Sequence, residues 1–419
     1  MEGLGRPKKA YFGLTAALYR LSSAYNKQNQ NTMEKKNLRI VFMGTPEFAV
    51  GSLQRLVENG YNVVAVVTQP DKPVGRHGSV LRPSPVKEYA LAHGLPVLQP
   101  LKMKDEHFLE QLRSYNADLQ VVVAFRMLPE VVWAMPRFGT FNVHAALLPD
   151  YRGAAPINWA VINGETLTGV TTFFLDHDID TGRIIAQRQF PIPDDADVEY
   201  VYDGLMQLGA QLCTDTVDLV LSTDGDVPSQ PQQESDAHHA APKIFKETCA
   251  IDFSLTAKRI YDFVRGLSPA PGAWCMLTPR DANAPAQVLK IYKTAKTGEP
   301  SAGGALVSSA PDHKAAGGAL VSSAPDYKAA GDALVSSAPD YKAAGGALVS
   351  SAPDYKAVKT DDQPTGVEVG TLKAENRRLF VATVDEWLEI VELQPAGKKR
   401  MAARDYLNGF QHPEHFLLK

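Results

Sequence analysis

An asparagine and a histidine, Asn142 and His144, stand two positions apart in the otherwise apolar segment 141–148. That segment is predicted to be a buried strand, and side chains at i and i+2 leave the same face of a strand. An amide donor beside an imidazole can stabilise a developing oxyanion and move a proton. A second apolar strand, 168–176, runs into an acidic turn from which one acidic residue can reach back toward the face of His144. The three side chains together predict acyl-transfer chemistry.

The same residues also have a purely structural interpretation. An Asn-x-His pair on a strand is more often part of a polar core than a catalytic pair. Asp176, Asp178 and Asp180 are of a residue type that commonly forms turns. Spacing alone favours this structural interpretation, so the acyl-transfer prediction depends on what surrounds the pair.

The body of the chain alternates apolar strands with amphipathic helices. This alternation predicts an α/β fold with a doubly wound, Rossmann-like parallel sheet, in which ligands bind at the carboxyl ends of the strands. Gly44 begins the turn after the first strand, but neither GxGxxG nor a Walker motif is present, so no nucleotide site is expected. Strands are predicted at 38–43, 62–68, 95–98, 118–125, 141–148, 168–176 and 182–192, and helices at 47–59, 84–93, 104–115, after Pro129, 157–163 and 198–221.

Two long motifs carry a family resemblance. NVHAALLPDYRGAAPINWAVINGE, followed by GVTTFFLDHDIDTG, closely resembles the signature of the methionyl-tRNA formyltransferases. LQPAGKKRMAARDYLNG resembles their carboxy-terminal hallmark, and MGTPEFA at the end of the first strand is another. The resemblance covers nearly all of residues 38–409 except an internal repeat.

The resemblance implies an activity and a site. The family transfers a formyl group from 10-formyltetrahydrofolate to the α-amine of methionyl initiator tRNA, and Asn142, His144 and Asp180 match its three catalytic positions. It uses neither a metal nor a nucleotide cofactor. The implied folate-contacting residues are Phe125, Ala146, Leu147, Leu148 and Pro149.

Two short stretches depart from the family pattern. Ala145-Ala146 follows the histidine where a small residue and serine are usual. Phe125-Arg126 precedes Met127-Leu128-Pro129 where Tyr-Gly is common. Both stretches are expected to border the folate pocket, so they bear on how the pterin is contacted rather than on the reaction.

Two basic segments are candidates for RNA contact. The loop 69–87 is long and contains prolines and glycines, as mobile binding loops do, although a solvated surface loop is an equal alternative on composition. In the family the matching insertion approaches the acceptor stem of the tRNA, with Arg76 nearest the end base pair. The second segment, 398–404, is a compact basic patch suited to phosphates. The predicted tRNA-contacting residues are Lys72, Arg76, Arg82, Lys87, Lys398, Lys399 and Arg400.

Composition is that of a soluble globular protein: 44% of the 419 residues are hydrophobic, 21% are charged and the net charge is −4. Three separated cysteines predict neither a disulfide framework nor a zinc site, and fit a reducing cytosol. His177, His238 and His239 have no metal-site spacing. No apolar run reaches the ~18–20 residues of a membrane helix. A cytoplasmic monomer is therefore expected.

The chain divides into four predicted parts. Residues 1–36 are a basic extension expected to be disordered, with Met33 as an alternative translation start; 37–222 form the catalytic domain. Residues 223–241 are a polar linker, and 242–419 form a small OB-like barrel with strands at 273–277, 286–294, 366–372, 379–382 and 387–393. Its first helix lies within 251–266, with Ser254 as the cap. Four 14-residue repeats at 302–357 interrupt the barrel and are interpreted as a tolerated insertion.

Two other functions remain open from the sequence. A formyltransferase acting on a small amine, such as an amino sugar nucleotide, would use the same trio but leaves the basic segments unexplained. A non-enzymatic RNA-binding protein would explain the basic segments but leaves the trio without a purpose.

Overall fold

The computed structural model describes residues 33–74, 80–233, 238–281, 284–301 and 367–419. The predicted extension at 1–32, Arg76 and the repeats at 302–357 lie outside these ranges. The described chain forms an α/β domain followed by a domain of antiparallel strands, which confirms the predicted fold class.

The elements of the α/β domain follow the predicted alternation. Its strands are β1 (Arg39–Gly44), β2 (Asn62–Val67), β3 (Lys72–Val74), β4 (Val80–Arg82), β5 (Val97–Leu98), β6 (Leu119–Val123), β7 (Thr140–His144), β8 (Arg152–Gly153), β9 (Leu167–Phe174), β10 (Ile184–Pro191) and β11 (Ala240–Ala241). Its helices are α1 (Glu47–Glu58), α2 (Pro85–Ala92), α3 (Glu106–Ser114), α4 (Glu130–Trp133), α5 (Pro156–Ile162) and α6 (Val198–Ser222).

Seven of these strands form the main sheet, in the order β10-β9-β7-β6-β1-β2-β5. The five strands from β7 to β5 are parallel, whereas β9 and β10 are antiparallel and form one edge. The chain leaves β1 to one side and later returns to β6 on the other, so the order reverses between these strands. The carboxyl ends of β1, β6 and β7 therefore border the crevice where such folds bind ligands.

Both faces of the sheet are buried, as a doubly wound sheet requires. Along β1, Ile40 and Phe42 point into one core while Val41 and Met43 point into the other. Helices α1 and α6 cover the first face and α3 covers the second. Full burial of each such side chain contributes about 1.5–3 kcal/mol, so the alternation fixes which face each strand residue occupies.

Gly44 ends β1 where α1 approaches most closely. A Cβ there would lie 2.6 Å from the Cβ of Ala49 and 2.9 Å from the ring of Phe42. Packing of the helix on the strand thus accounts for this glycine.

The second domain is a nearly closed barrel. Its strands are β12 (Ala273–Pro279), β13 (Gln287–Pro300), β14 (Leu372–Glu375), β15 (Arg378–Ala382), β16 (Glu386–Pro395), β17 (Met401–Ala402) and β18 (Phe416–Leu418), and its helices are α7 (Ala257–Gly266) and α8 (Ala403–Tyr406). The sheet runs β14-β15-β16-β13-β12-β18, with β17 paired to β16. A bridge between Thr371 and Leu417 joins the two ends.

The two domains meet where α5 packs against α7. Asn158 donates a hydrogen bond to the Gly266 carbonyl (2.8 Å), and Arg265 donates to the Ala196 carbonyl (2.8 Å). Arg265 is also paired with the buried carboxylate of Asp262 (2.8 Å). Lys258 pairs with the other carboxylate oxygen of Asp262, so this buried charge is held by two cations.

Three predicted boundaries are wrong: the cap of α7, the start of β14 and the end of β7. Thr256, not Ser254, caps α7: its hydroxyl accepts from the Arg259 amide, whereas the Ser254 hydroxyl donates to Asp252. The predicted strand 366–372 begins only at Leu372, because a preceding turn places the Gly370 amide on the Ala382 carbonyl. The strand predicted at 141–148 ends at His144, where the chain turns into a loop.

Segments predicted to lie outside the catalytic domain make specific contacts with it. Met33 packs against the core, and the Lys35 ammonium donates to the Tyr61 hydroxyl (2.9 Å). Within the predicted linker, Gln230 bridges to Ile184 and β11 pairs in parallel with β8. This part of the linker is therefore an additional strand beside the candidate site.

Candidate active site

The Asn142 and His144 side chains lie at the end of β7, between β6 and β9. In the pairing with β9, Asn142 stands opposite Phe173 and His144 opposite Thr171. The imidazole is only 6% exposed and meets the Phe173 ring edge-on at 6.4 Å between centroids. A strand in the middle of a sheet thus holds both residues at the carboxyl edge with little freedom to move.

A backbone carbonyl fixes the orientation of the His144 ring. Nε2 lies 2.9 Å from the Tyr151 carbonyl oxygen, and since a carbonyl only accepts, Nε2 carries a hydrogen. Tyr151 adopts a left-handed backbone (φ 62°), and its hydroxyl donates to Glu165 (2.6 Å). Burial and the Glu165 carboxylate raise the pKa of Tyr151, so this phenol stays protonated. Nδ1 is the ring nitrogen left for chemistry.

Asp180 comes within reach of that nitrogen from the turn after β9. Its Oδ2 lies 3.8 Å from His144 Nδ1 and accepts a hydrogen bond from the Gly153 amide (2.9 Å). Gln232 donates to the carbonyls of both Asp180 (2.7 Å) and Gly182 (2.8 Å). The structure therefore brings His144 and Asp180 together: the Gly153 amide holds the Asp180 carboxylate, and Gln232 holds the backbone of its turn.

Two glycines beside Asp180, Gly182 and Gly153, are required for steric reasons. A Cβ at Gly182 would lie 1.7 Å from the Phe174 carbonyl oxygen, and one at Gly153 would lie 2.4 Å from the Ala241 carbonyl oxygen. Gly153 also has φ 130°, which favours glycine. Both glycines allow the backbones around Asp180 to pack closely enough to hold its carboxylate.

Asn142 carries an unsatisfied amide. Its Oδ1 is buried and has no hydrogen-bond partner among the residues that the structure describes. An unsatisfied buried polar atom costs about 1–3 kcal/mol, and such costs are concentrated at functional sites. The Oδ1 atom of Asn142 is thus an acceptor available to an N–H or O–H group of a substrate.

The loop that follows His144 is held by hydrogen bonds from β9 and β10. The Thr171 hydroxyl donates to the Ala146 carbonyl (2.7 Å) and accepts from the Leu148 amide (3.1 Å). Gln187 donates to the Leu148 carbonyl (2.8 Å) and to Thr171 (3.0 Å). Three consecutive residues of the implied folate loop are therefore fixed before any ligand binds.

The five residues implied in folate contact differ in exposure. Phe125, Ala146 and Leu148 are buried, whereas Leu147 and Pro149 are partly exposed. The Leu147 side chain packs where a Cβ at Gly169 would otherwise lie. Phe125 packs in the core on one face of the sheet and Ala146 in the core on the other, so the five residues do not form one continuous surface.

Arg126, one of the departures from the family pattern, contacts the segment after β5. Its guanidinium donates to the carbonyls of Pro100 and Leu101, in the segment after β5. Burial lowers the pKa of Arg126. The next residue, Met127, is 60% exposed. This departure thus has a structural consequence: it ties the segment after β6 to the segment after β5.

The basic residues fall into two groups. Lys72 and Arg82 stand opposite each other in the β3–β4 hairpin. Arg76 lies outside the described residues. Lys87 instead pairs with Asp71 (2.6 Å) in a contact that leaves both side chains less than a quarter exposed. Hydrogen bonds from Lys87 and Gln99 lower the pKa of Asp71. Lys87 therefore anchors the base of the hairpin.

At the other basic segment, Lys398 and Lys399 are exposed, and within the described part of the chain neither is ion-paired. Arg400 pairs with Glu392 and lies over the Tyr292 ring at 4.6 Å. Two free lysines beside one anchored arginine form a surface suited to phosphates.

Several supporting residues were not found from the sequence. Thr171 and Gln187 are ordinary strand residues, and Gln232 lies in what was predicted to be a linker. Only Tyr151 had a local signal, because it is a single large residue at the start of a loop of small ones. The others depend on pairings between β9, β10 and the segment after α6.

No helix of the described chain is long and apolar enough to cross a membrane. One group of three metal-ligating side chains lies together in that part of the chain: His412, Glu414 and His415, all exposed and in the second domain. In the first domain, His238 and His239 each place Nδ1 3.5 Å from Asp150.

Family models match both domains. The model described as formyl transferase matches residues 38–217, and the model described as formyl transferase, C-terminal domain, matches residues 243–319 and 350–411. A solved N-formyltransferase from Helicobacter canadensis, in complex with folinic acid and dTDP-3-aminofucose, shares the fold. Its TM-score is 0.50 at 16% identity, over 87% of this chain and all of that one. The fold and the matches define a formyltransferase.

Curated relatives narrow the class. The methionyl-tRNA formyltransferase of Parabacteroides distasonis is 52% identical over 384 residues, covering 90% of this chain and 98% of that protein. That of Phocaeicola vulgatus is 65% identical over 269 residues, covering 63% of this chain and 82% of that protein. The chain belongs to the methionyl-tRNA formyltransferase family. This membership in an enzyme family speaks against the non-enzymatic alternative.

Proposed function

We propose that this enzyme transfers the formyl group of 10-formyltetrahydrofolate to the α-amine of methionyl initiator tRNA. The observation that carries the chemistry is the arrangement of His144, Asp180 and Asn142 at the carboxyl edge of the sheet, beside a pre-formed apolar loop. The activity for which the relatives are named supports methionyl-tRNA as the acceptor.

Asn142 and His144 act at the formyl carbon. Attack by the amine converts the formyl oxygen into an oxyanion, and we assign its stabilisation to the Nδ2 group of Asn142, the donor half of that amide. Because Nε2 of His144 is engaged with Tyr151, the neutral ring presents a lone pair at Nδ1. That lone pair accepts the proton that the attacking amine must lose.

Asp180 and His144 complete the transfer. The imidazolium formed at His144 lies 3.8 Å from the Asp180 carboxylate, whose charge stabilises it. The ring then returns the proton to N10 of the leaving folate as the N10–carbon bond breaks. The products are N-formylmethionyl-tRNA and tetrahydrofolate, and atoms and charge balance without a covalent enzyme intermediate or a metal.

The basic segments are assigned to the tRNA. The β3–β4 hairpin, with Lys72, Arg82 and Arg76, lies after β2 and is positioned by the Lys87–Asp71 pair. Lys398, Lys399 and Arg400 form the second contact, on the barrel. Phosphate contact by either group makes binding salt-dependent. In this proposal the enzyme acts as a monomer, because one chain supplies every group named. It acts in the cytoplasm.

Formyl transfer should be measured from 10-formyltetrahydrofolate to methionyl initiator tRNA, with elongator methionyl-tRNA as the comparison. We expect rapid transfer to the initiator and slow transfer to the elongator. Transfer to free amino sugar nucleotides but to neither tRNA would overturn the proposed acceptor and favour the small-amine enzymes. Sedimentation of the full chain at micromolar concentration tests the monomer.

A further inference from the structure

The C-terminal barrel contains a cavity of about 640 Å³ that none of the proposed steps uses. It lies between the ends of β12 and β13, helix α8 and the start of β18. Leu277 and Pro279 form part of its apolar lining, and Gln287 contributes an amide. Its volume is in the range of small-molecule binding sites, about 300–1,000 Å³.

Three aromatic rings make up one side of this cavity. Phe410 stacks on Tyr406, with 4.7 Å between centroids and 24° between planes, and meets Phe416 at 4.9 Å and 47°. All three side chains are partly exposed rather than fully packed into the core. Partly exposed rings beside an open volume offer flat surfaces on which another planar group can stack.

The cavity adjoins the basic turn that carries Lys398 and Lys399. The Ala396 amide donates to the Val288 carbonyl (3.1 Å), which places the turn next to Gln287 on the cavity wall. The turn is itself held by Gln394, whose side chain donates to the Lys398 carbonyl (2.8 Å). On the other side, exposed Arg404 lies two residues before Tyr406 on α8.

We propose that this cavity receives one unpaired base of the tRNA, stacked against an outer face of the Phe410–Tyr406 ring pair, while Lys398 and Lys399 hold the adjoining phosphates. The inference rests on the proposed function, because it assumes that the acceptor is an RNA. Stacking surfaces next to a positively charged strip are how proteins bind unpaired nucleotides. An uncharged apolar ligand would use the rings but not the lysines.

Two variants test the cavity in different ways. Phe410→Leu keeps an apolar side chain but removes the stacking face. Ala284→Trp fills the cavity from an exposed rim position, so it leaves the aromatic cluster and the core intact. Phe245→Leu is the matched control: an exposed aromatic ring (56%) in the same domain that does not line the cavity. Thermal unfolding shows that each variant is folded.

Dissociation constants for methionyl initiator tRNA should be measured at fixed salt by filter binding, together with kcat at saturating tRNA. We expect roughly tenfold weaker binding for both cavity variants, an unchanged kcat and an unchanged KM for the folate. Phe245→Leu should match wild type. Chemical probing of the bound tRNA should show one unpaired nucleotide protected by wild type and released in Ala284→Trp.

The possible failures are distinguishable. If wild type formylates the tRNA and Ala284→Trp binds it as tightly as wild type, the cavity is not a base site and the proposed function stands. If the wild-type enzyme neither binds nor formylates tRNA, the proposed function fails and this inference fails with it.

Discussion

The Tyr151 carbonyl oxygen lies 2.9 Å from Nε2 of His144 and so decides which ring nitrogen faces the reaction. Tyr151 is itself held in a left-handed conformation by a loop whose next residues pair with the segment after α6. The histidine on β7 is therefore oriented by parts of the chain far apart in sequence.

Replacing Asn142 with alanine should separate activity from stability. Its Oδ1 is already buried without a partner, so Asn142→Ala removes an unfavourable group and should leave the free energy of unfolding equal or higher. Loss of the oxyanion donor should lower kcat by about 10²–10³-fold. Urea unfolding and steady-state kinetics on the same preparation measure both. A variant with normal turnover would show that the amide is not used.

The charge of Asp180 can be removed while its hydrogen bond is kept. In Asp180→Asn the side-chain oxygen can still accept from the Gly153 amide, but no carboxylate faces Nδ1 of His144. We expect kcat to fall about 10²-fold with little change in melting temperature. Asp178→Asn, an exposed position in the same turn, is the control and should behave as wild type. Equal activity of the two variants would remove Asp180 from the mechanism.

Thr171 should act on substrate binding through the loop after His144. Thr171→Val deletes a hydroxyl that bonds Ala146, Leu148 and Gln187, which leaves buried polar groups unsatisfied and costs about 1–3 kcal/mol. The loosened loop should raise the KM for 10-formyltetrahydrofolate more than it lowers kcat.

Thr172→Val provides the matched comparison for this prediction. Thr172 is equally buried on the same strand, but its hydroxyl bonds Thr216 on α6 instead of the loop. We expect Thr172→Val to lower stability and leave the KM for the folate unchanged. A parallel rise in KM for both variants would point to a general loss of packing.

The strands and helices of the α/β domain could be predicted from the sequence because they depend on local patterns. Strand and helix alternation and the burial of β1 on both faces follow from short-range patterns. The i and i+2 spacing of Asn142 and His144 likewise needs only a strand.

What the sequence did not provide depends on long-range contacts. Nothing near Gln232 indicates that it would bind the Asp180 carbonyl, because that contact requires the segment after α6 to return to the turn after β9. Ser254 and Thr256 are both acceptable caps, and the choice is made where the Ala257 amide meets Asp385 on the barrel. The ends of strands were also misplaced, since loops such as 145–149 continue the apolar composition of β7.

The basic turn at Lys398 and Lys399 should contribute to binding and not to the chemical step. Replacing both with alanine should raise the KM for tRNA and reduce the slope of log K against log salt by about 1.4–1.8, since each phosphate contact contributes about 0.7–0.9. Lys104→Ala, at an exposed lysine two residues before α3, is the control. Filter binding at salt concentrations from about 50 to about 200 mM gives the slope of log K against log salt. An unchanged slope would mean that these lysines do not meet phosphates.

Alkaline pH should destabilise the enzyme through Cys213. Burial raises the pKa of this thiol to about 12, from an ordinary value of 9.0. The folded state therefore holds its proton where the unfolded state releases it, and stability that is complete below pH 9.0 is lost as the pH rises toward 12. Urea unfolding at rising pH should show a steeper alkaline loss for wild type than for Cys213→Ala. Parallel curves would contradict this linkage. The same burial predicts that the folded enzyme's Cys213 resists alkylation near pH 8, whereas the urea-unfolded chain reacts readily.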